Sequence, residues 1–394
     1  MNKLKELINE LCPNGVKYKN IQELCKISRG KVMSKDFIKA NAGEYPVYSS
    51  QTENNGELGK ISTYDFDGEY LTWTTDGANA GSVFYRKGKF SVTNVCGLLE
   101  IKSKVMIPKF LYYVLSIEAP KYVNAGMGNP KLMSNVMAKI RVAVPPLEVQ
   151  CEIVHILDDF TLLSAELSAE LEARKRQYCY YREKLFEFNN DGELKTMGEL
   201  FPFIRNGFVG TIRPFFTDEK NGIRYLEGTN IHNGIISDNE MIYVTKEFHQ
   251  RHKKNELKED DILMVQSGHI GECAVVGKKY KGANCHALII MSNGGKCLSK
   301  YIVHYFHTLK GFKALNPAIT GGTIKHVLAG KIGKIKVPCP PIEEQTKIVN
   351  ILDKLEKLCN DISEGLPAEI EARQKQYEYY RAKLLTFKEL KVNE

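Results

Sequence analysis

A chain of 394 residues has room for two or three domains, each with a proper core. Its 43% hydrophobic and 26% charged residues are those of an ordinary globular protein, and no run approaches the roughly 18 apolar residues of a membrane span. Net charge +8 and a pI near 8.8 permit a nucleic-acid partner without demanding one. The start, MNKLKELINE, is charged from its third residue and holds no apolar signal core, so a cytoplasmic protein is expected. The ten cysteines form no CxxC pair, and Cys273, Cys285 and Cys297 are spaced too widely for a usual zinc knuckle, so reduced structural thiols and no metal are expected.

In chain order, KLKELINEL at 3–11 has helical spacing. VFYRKGKFSVT at 83–93 alternates apolar and polar residues around Gly88, which predicts a hairpin there. A second helix is predicted over 107–117, and IRVAVPP at 140–146 reads as a closing strand that proline stops. From 145 the chain reads PPLEVQCEIVHILDD and then, at 172–188, EARKRQYCYYREKLFEF.

Both sentences return, as PPIEEQTKIVNILDK at 340–354 and EARQKQYEYYRAKLLTF at 371–387, the second block four residues later than the first block's displacement requires. A copy at such a distance marks a duplicated unit. Weaker echoes keep the same order. QELCKISRG at 22–30 resembles GELFPFIRN at 198–206, and TTDGANAGSV at 74–83 resembles VQSGHIGECA at 265–274. TNVCGLLE at 93–100 matches ANCHALII at 283–290, IPKFLYYVL at 107–115 matches LSKYIVHYF at 298–306, and IKVPCPP at 335–341 is a second closing strand. The expected organisation is an α+β domain over 1–145, a central helix over 146–190, a second domain over 191–340 and a final helix over 341–394.

In the central helix Leu157, Phe160, Ser164, Leu167, Leu171, Arg174, Tyr178, Tyr181, Leu185 and Phe188 recur at alternating steps of three and four, a coiled-coil seam. About 43 residues at about 1.5 Å each give a strut of roughly 65 Å. The final helix repeats the seam with Leu352, Leu355, Cys359, Ile362, Leu366, Ile370, Arg373, Tyr377, Tyr380, Leu384 and Phe387. A second step of four, at Leu366 to Ile370, lies beside Gly365 and Pro367 and predicts a break near 364–367, with a new helix starting at Pro367. Related helices that pair along matching seams run antiparallel and relate the halves by a pseudo-two-fold axis; the alternative is a seam that dimerises with another copy.

Tandem mixed domains, each closed by PPLxEQxxIVxxLD and a helix ending in QYxYYR, resemble the specificity subunit of a type I restriction–modification system. The resemblance covers nearly the whole chain. It rests on Pro145, Pro146, Gln150, Ile153, Leu157 and Asp158 in one copy and Pro340, Pro341, Gln345, Ile348, Leu352 and Asp353 in the other. SAELSAEL at 164–171 resembles the short tandem repeat that such subunits carry centrally, and 362–381 resembles the family's second conserved segment. The resemblance implies a non-catalytic reader of double-stranded DNA, each domain taking one half of a split target. The helices would set the spacer and bind two adenine-N6 methyltransferase subunits, and translocating nuclease subunits would complete the complex. S-adenosylmethionine, ATP and Mg would belong to those partners, with no cofactor bound by this chain.

Two readers on one strut suit a bipartite target, because half-site spacing mirrors domain spacing. Candidate DNA contacts near the loops of domain one are Arg29, Lys31, Trp73, Asn79, Arg86 and Lys87. Those of domain two are Arg205, Asn206, Arg213, Gln266, Ser267 and His269. Lys131 after Gly128 and Lys325 after Gly322 occupy corresponding places. Arginine and glutamine suit base edges, while lysine serves phosphates.

Two rivals stand beside this reading. An enzyme acting on DNA alone would need a DPPY-like tetrad, but NPKL at 129–132 and NPAI at 316–319 lack the second proline and the aromatic residue, and no GxxxxGK[ST] loop exists. Bound S-adenosylmethionine in the single chain would revive it. The other rival is a structural coiled-coil adaptor whose paired domains hold proteins or ligands, distinguished by failure to bind DNA even with a methyltransferase partner.

Overall fold

The computed structural model describes residues 2–124, 126, 128–187, 193–323, 325–360 and 365–390. They form two compact units, Met1–Ser168 with Ile370–Glu394, and Ala169–Glu369.

The first unit opens with the expected amino-terminal helix, Asn2–Leu11. Its main sheet has six strands in the spatial order Cys25–Arg29, Cys96–Ile101, Phe66–Thr74, Val83–Val92, Ala42–Tyr48 and Glu57–Ile61. Leu71, Trp73 and Leu99 bury one face against Phe110, Leu111 and Leu115 of the helix Pro108–Glu118. The hairpin predicted at Gly88 is instead one ten-residue strand, Val83–Val92, and the reversal lies at 75–82. Gly88 sits opposite Gly68, both at positive φ, so the pair distorts the ladder without turning it. Alternation alone does not separate those outcomes.

The second unit has a four-stranded sheet in the order Phe203–Asn206, Leu288–Ser292, Ile262–Val265 and Cys273–Val275. The helix Ser299–Phe306 joins its core. A second four-stranded sheet contains Phe216–Thr217, Ile242–Thr245, Gly222–Leu226 and Asn284–Cys285. Each unit also has its closing strand in a two-stranded ladder. Arg141–Val144 pairs with Lys17–Asn20, and Lys336–Pro338 pairs with Leu194–Thr196.

After each ladder the prolines lead into a helix, Leu147–Leu185 in one case and Ile342–Asn360 in the other. The repeated glutamine explains the attachment. Gln150 is fully buried; its Oε1 accepts from the Ile107 amide at 2.9 Å, and its Nε2 donates to the carbonyls of Pro145 (2.7 Å) and Val105 (2.8 Å). Gln345 repeats this with the Leu298 amide at 2.9 Å and the Pro340 carbonyl at 2.7 Å. One side chain thereby satisfies the backbone at the start of the domain's packed helix and at the strand exit.

About two helical turns further, Asp158 accepts from Lys109 Nζ (2.7 Å) and Tyr113 Oη (2.6 Å). Its counterpart Asp353 meets Lys300 Nζ (2.9 Å) and His304 Nε2 (3.1 Å). Burial acts to raise the Asp353 pKa, but His304 and Lys300 outweigh it and hold the carboxyl below its ordinary range.

Within each unit the paired helices run antiparallel. In the first, Phe160 stacks on Tyr380 at 5.7 Å between centroids, and five residues later Ala165 shares a cleft with Gln374. In the second, Tyr178 donates to Glu356 at 3.3 Å, and one turn earlier Lys175 lies in the electrostatic neighbourhood of Cys359. Leu157, Leu352 and Leu384 are buried, and Phe160, Leu167, Leu171, Leu185, Leu355, Ile370, Tyr377 and Tyr380 are half-buried. Tyr181 departs from the predicted seam: it is 40% exposed, and Arg182 turns inward to lie 5.1 Å over the Tyr178 ring. A nearly straight helix at 3.6 residues per turn advances from Tyr178 to Arg182, whereas a strict heptad would choose Tyr181. The predicted break falls partly on residues 361–364, which together with Ile362 and Phe188 of the seam lie outside the described residues. The last helix is Leu366–Leu384, with Pro367 in its first turn, one residue earlier than predicted.

Candidate nucleic-acid interface

In the first unit the segment after Thr74 meets the glycine-containing segment before Leu132. The Gly77 amide donates to the Pro130 carbonyl at 3.0 Å, the Leu132 amide to Thr75 at 2.9 Å, and Asp76 bridges Lys131. Lys131 is exposed, its Nζ 3.9 Å from Asp76. Arg29 reaches the same edge, with Nε donating to Ser134 Oγ at 3.3 Å and Nη2 to Met133 Sδ at 3.5 Å. Exposed Asn79 donates to Thr52 Oγ1 at 2.9 Å, and Lys31 is paired with Asp65 at 2.6 Å.

The second unit repeats the construction. The Val327 amide donates to the Gln266 carbonyl at 2.9 Å, and Ser267 bridges His326, their side chains 2.5 Å apart. His269 and Lys325 are exposed beside them. The bridges set the register between the units: Asp76–Lys131 corresponds to Ser267–His326. The counterpart of Lys131 is therefore His326, and Lys325 stands one place earlier than its predicted match.

The strands leading to these edges cross their neighbours at a glycine. A Cβ on Gly30 would lie 1.7 Å from the Val92 carbonyl oxygen, and one on Gly207 would lie 2.6 Å from that of Cys285. Both chains then emerge at an exposed valine, Val32 (82%) and Val209 (68%). This register makes exposed Asn206 the counterpart of Arg29.

Several candidates lie elsewhere. Trp73 is fully buried and donates its indole N–H to the Leu132 carbonyl at 2.9 Å; it is a core residue that fixes the loop from beneath. Arg86 is also buried, its guanidinium 3.6 Å from the Tyr48 ring centroid and 4.5 Å from that of Phe84, and burial lowers its pKa. An arginine in an alternating strand points to either face, and here position 86 points inward. Lys87 is cross-strand from Glu69 at 3.0 Å, five residues down the strand from the loop, and holds that carboxyl below its ordinary range. Arg213 is exposed on the separate turn Arg213–Phe215. Arg205 is next to Asn206, but its guanidinium extends toward the opposite end of the sheet, its Nη1 donating to Ser292 Oγ at 2.8 Å and its Nη2 to the Glu256 carbonyl at 3.2 Å. Spacing from the glycine points to Lys325 and not His326, because Gly322 precedes His326 by four residues whereas Gly128 precedes Lys131 by three.

Two clusters resemble catalytic chemistry and are bonded within the fold. His304, Asp353 and Glu356 bring ligand-type atoms within 4.8 Å of one another, but Lys300 already meets both carboxylates, at 2.9 and 3.3 Å. His307 Nε2 is 3.6 Å from Glu272 and 3.9 Å from Cys273 Sγ. Cys273 has no exposed surface, so substrate does not reach its sulfur.

Residues 13–173 and 189–372 match the family model of the type I restriction modification DNA specificity domain, and the chain belongs to that family as a specificity subunit with two recognition domains. A putative type I specificity subunit of Mycoplasma pneumoniae is 35% identical over 366 residues, covering 92% of this chain and 96% of that one. The MpnII specificity subunit of the same organism is 48% identical over 172 residues, or 43% of this chain and 52% of its own. The fold matches the S subunit of M. genitalium with a TM-score of 0.56 at 15% identity, over 94% of this chain and 96% of that chain. A chain from a structural study of type I complex assembly matches with a TM-score of 0.62 at 12% identity, over 95% and 98%. Among the described residues no helix is long and apolar enough to cross a membrane.

Proposed function

We propose that this chain is the non-catalytic, cytoplasmic DNA reader of a type I restriction–modification complex. Each loop pair, 74–82 with 124–132 and 265–272 with 319–327, reads one half of a bipartite duplex target. The observation that carries the reading is the repetition: two unlike loop sequences on one scaffold, each fixed to its helix by the same buried glutamine and bonded aspartate. Loops on a rigid support are where sequence readout is varied without disturbing the fold. The helices set the spacer between half-sites.

They also receive two like partners. Tyr180 and Tyr379 are the same position of the repeated QYxYYR segment and are 61% and 60% exposed; Leu147 and Ile342 match likewise at 41% and 45%. Such paired apolar positions suit two copies of one methyltransferase subunit, with nuclease subunits joining that core. S-adenosylmethionine, ATP and Mg are held by the partners.

The chain alone with S-adenosylmethionine should leave plasmid DNA unmodified. Adding its methyltransferase subunit should give N6-methyladenine at one bipartite motif, read by single-molecule sequencing. Methylation by the single chain overturns the proposal.

A further inference from the structure

The second unit carries a cleft of about 460 Å3 at the end of its sheet away from the reading loops. Phe203 and Ser292 pair at its rim, whereas Gln266 follows the other end of the ladder, where Val265 pairs with Leu288. Four strand residues, about 13 Å, separate the two ends.

Lys253, Lys254, Lys258, Lys281 and Arg205 line this cleft. The four lysines are exposed and make no ion pair among the described residues. Their backbones are fixed. Lys253 and Lys254 sit on a short turn anchored by buried Asn255. The amides of Leu257 and Gly282 donate to Ala283 and Leu257 at 2.9 Å, holding the Lys258 and Lys281 segments side by side. Arg205 forms the floor, 3.7 Å from buried Asp261, with an enclosed Nε that has no acceptor. Among the described residues Glu256 is the only carboxylate lining the cleft.

Like charges gathered on rigid backbone repel one another unless an anion joins them. Phe203, 68% exposed, adds an aromatic face at the mouth. A second cleft of about 400 Å3 shares Glu256 and Lys281; its Arg224 and Lys279 are already answered by Glu219 and Asp238, so the unpaired lysines belong to the first cleft. A cleft lined by unpaired lysines with an exposed ring at its mouth suits phosphates bearing bases. We infer that this cleft is a phosphate-binding site, separate from the reading loops, that takes the sugar-phosphate backbone of a nucleic acid.

The test compares the full chain with a K253Q/K254Q/K258Q variant, all three positions being exposed and outside the loop site. Binding of a labelled duplex of arbitrary sequence is measured between about 50 and about 200 mM salt. Three lost phosphate contacts should make the variant's affinity roughly 40-fold less salt-sensitive over that range, from a slope change near 0.9 per contact. Equal unfolding temperatures establish that the fold is kept. Inorganic tripolyphosphate separates the sources: displacement of the duplex from the cleft at micromolar tripolyphosphate assigns it to free polyphosphates as well, and displacement only by oligonucleotide assigns it to strands. Unchanged salt dependence in the variant overturns the site. That result leaves the specificity reading intact, since motif-specific methylation is scored separately.

Discussion

The two joints between domain and helix use one design with different side chains. In the first, Asp158 is answered by Lys109 and Tyr113, which completes a neutral local set. In the second, Asp353 is answered by Lys300 and His304, and Glu356, only 8% exposed, is added beside Tyr178. The position after the aspartate that holds Glu356 in the second helix holds exposed Thr161 in the first. The duplicated frame therefore fixes where the joint is bonded, while each copy retains freedom in how it balances charge. The glutamine is common to both because it serves backbone groups, which substitution does not change.

That contrast orders the expected effects. Gln150→Ala and Gln345→Ala should be the most damaging and nearly equal, about 2–4 kcal/mol each, because each strands buried backbone groups. Chemical denaturation followed separately in the two units checks this, and a loss below that range in both would show that packing, not the glutamine, makes the attachment. The lysines should differ. Lys300→Met leaves two carboxylates, one of them buried, and should cost about 1–2 kcal/mol, against about 0.5–1 for Lys109→Met. Equal losses would mean that Glu356 adds nothing to the joint.

The difference has a pH signature. Asp353 has a depressed pKa in the folded chain, so its stabilisation is present above the unfolded value near 4 and is lost as pH falls through the folded value. In Lys300→Met that acid limb should shift toward higher pH, which stability measured from about pH 3 to about pH 7 reveals.

The helices, the closing strands and the duplication were legible because each depends on a local period or a literal repeat. Proline stopped the strands where 140–146 and 335–341 indicated, and the apolar steps located the helices. Side-chain direction was less accessible. Trp73 and Arg86 looked like loop residues by proximity to glycine, yet strand alternation and the curve of the sheet put them inside. The Arg205 guanidinium extends away from the loop end of its sheet, and Lys87 lies five residues down its strand from the loop, neither of which spacing along the chain reveals. The pairing of Lys131 with His326 required the bridges themselves, since a one-residue shift between diverged loops leaves no mark in either sequence. Tyr181 failed for a finer reason, the small gap between 3.5 and 3.6 residues per turn accumulating along the helix.

The central claim is that two separately supported loop pairs read two separate half-sites. Replacing residues 1–145 by the corresponding domain of a relative, with both helices kept, and mapping N6-methyladenine in a host supplied with the methyltransferase subunit tests it most directly. One half of the bipartite motif should change and the other should persist. Alteration of both halves would contradict the account.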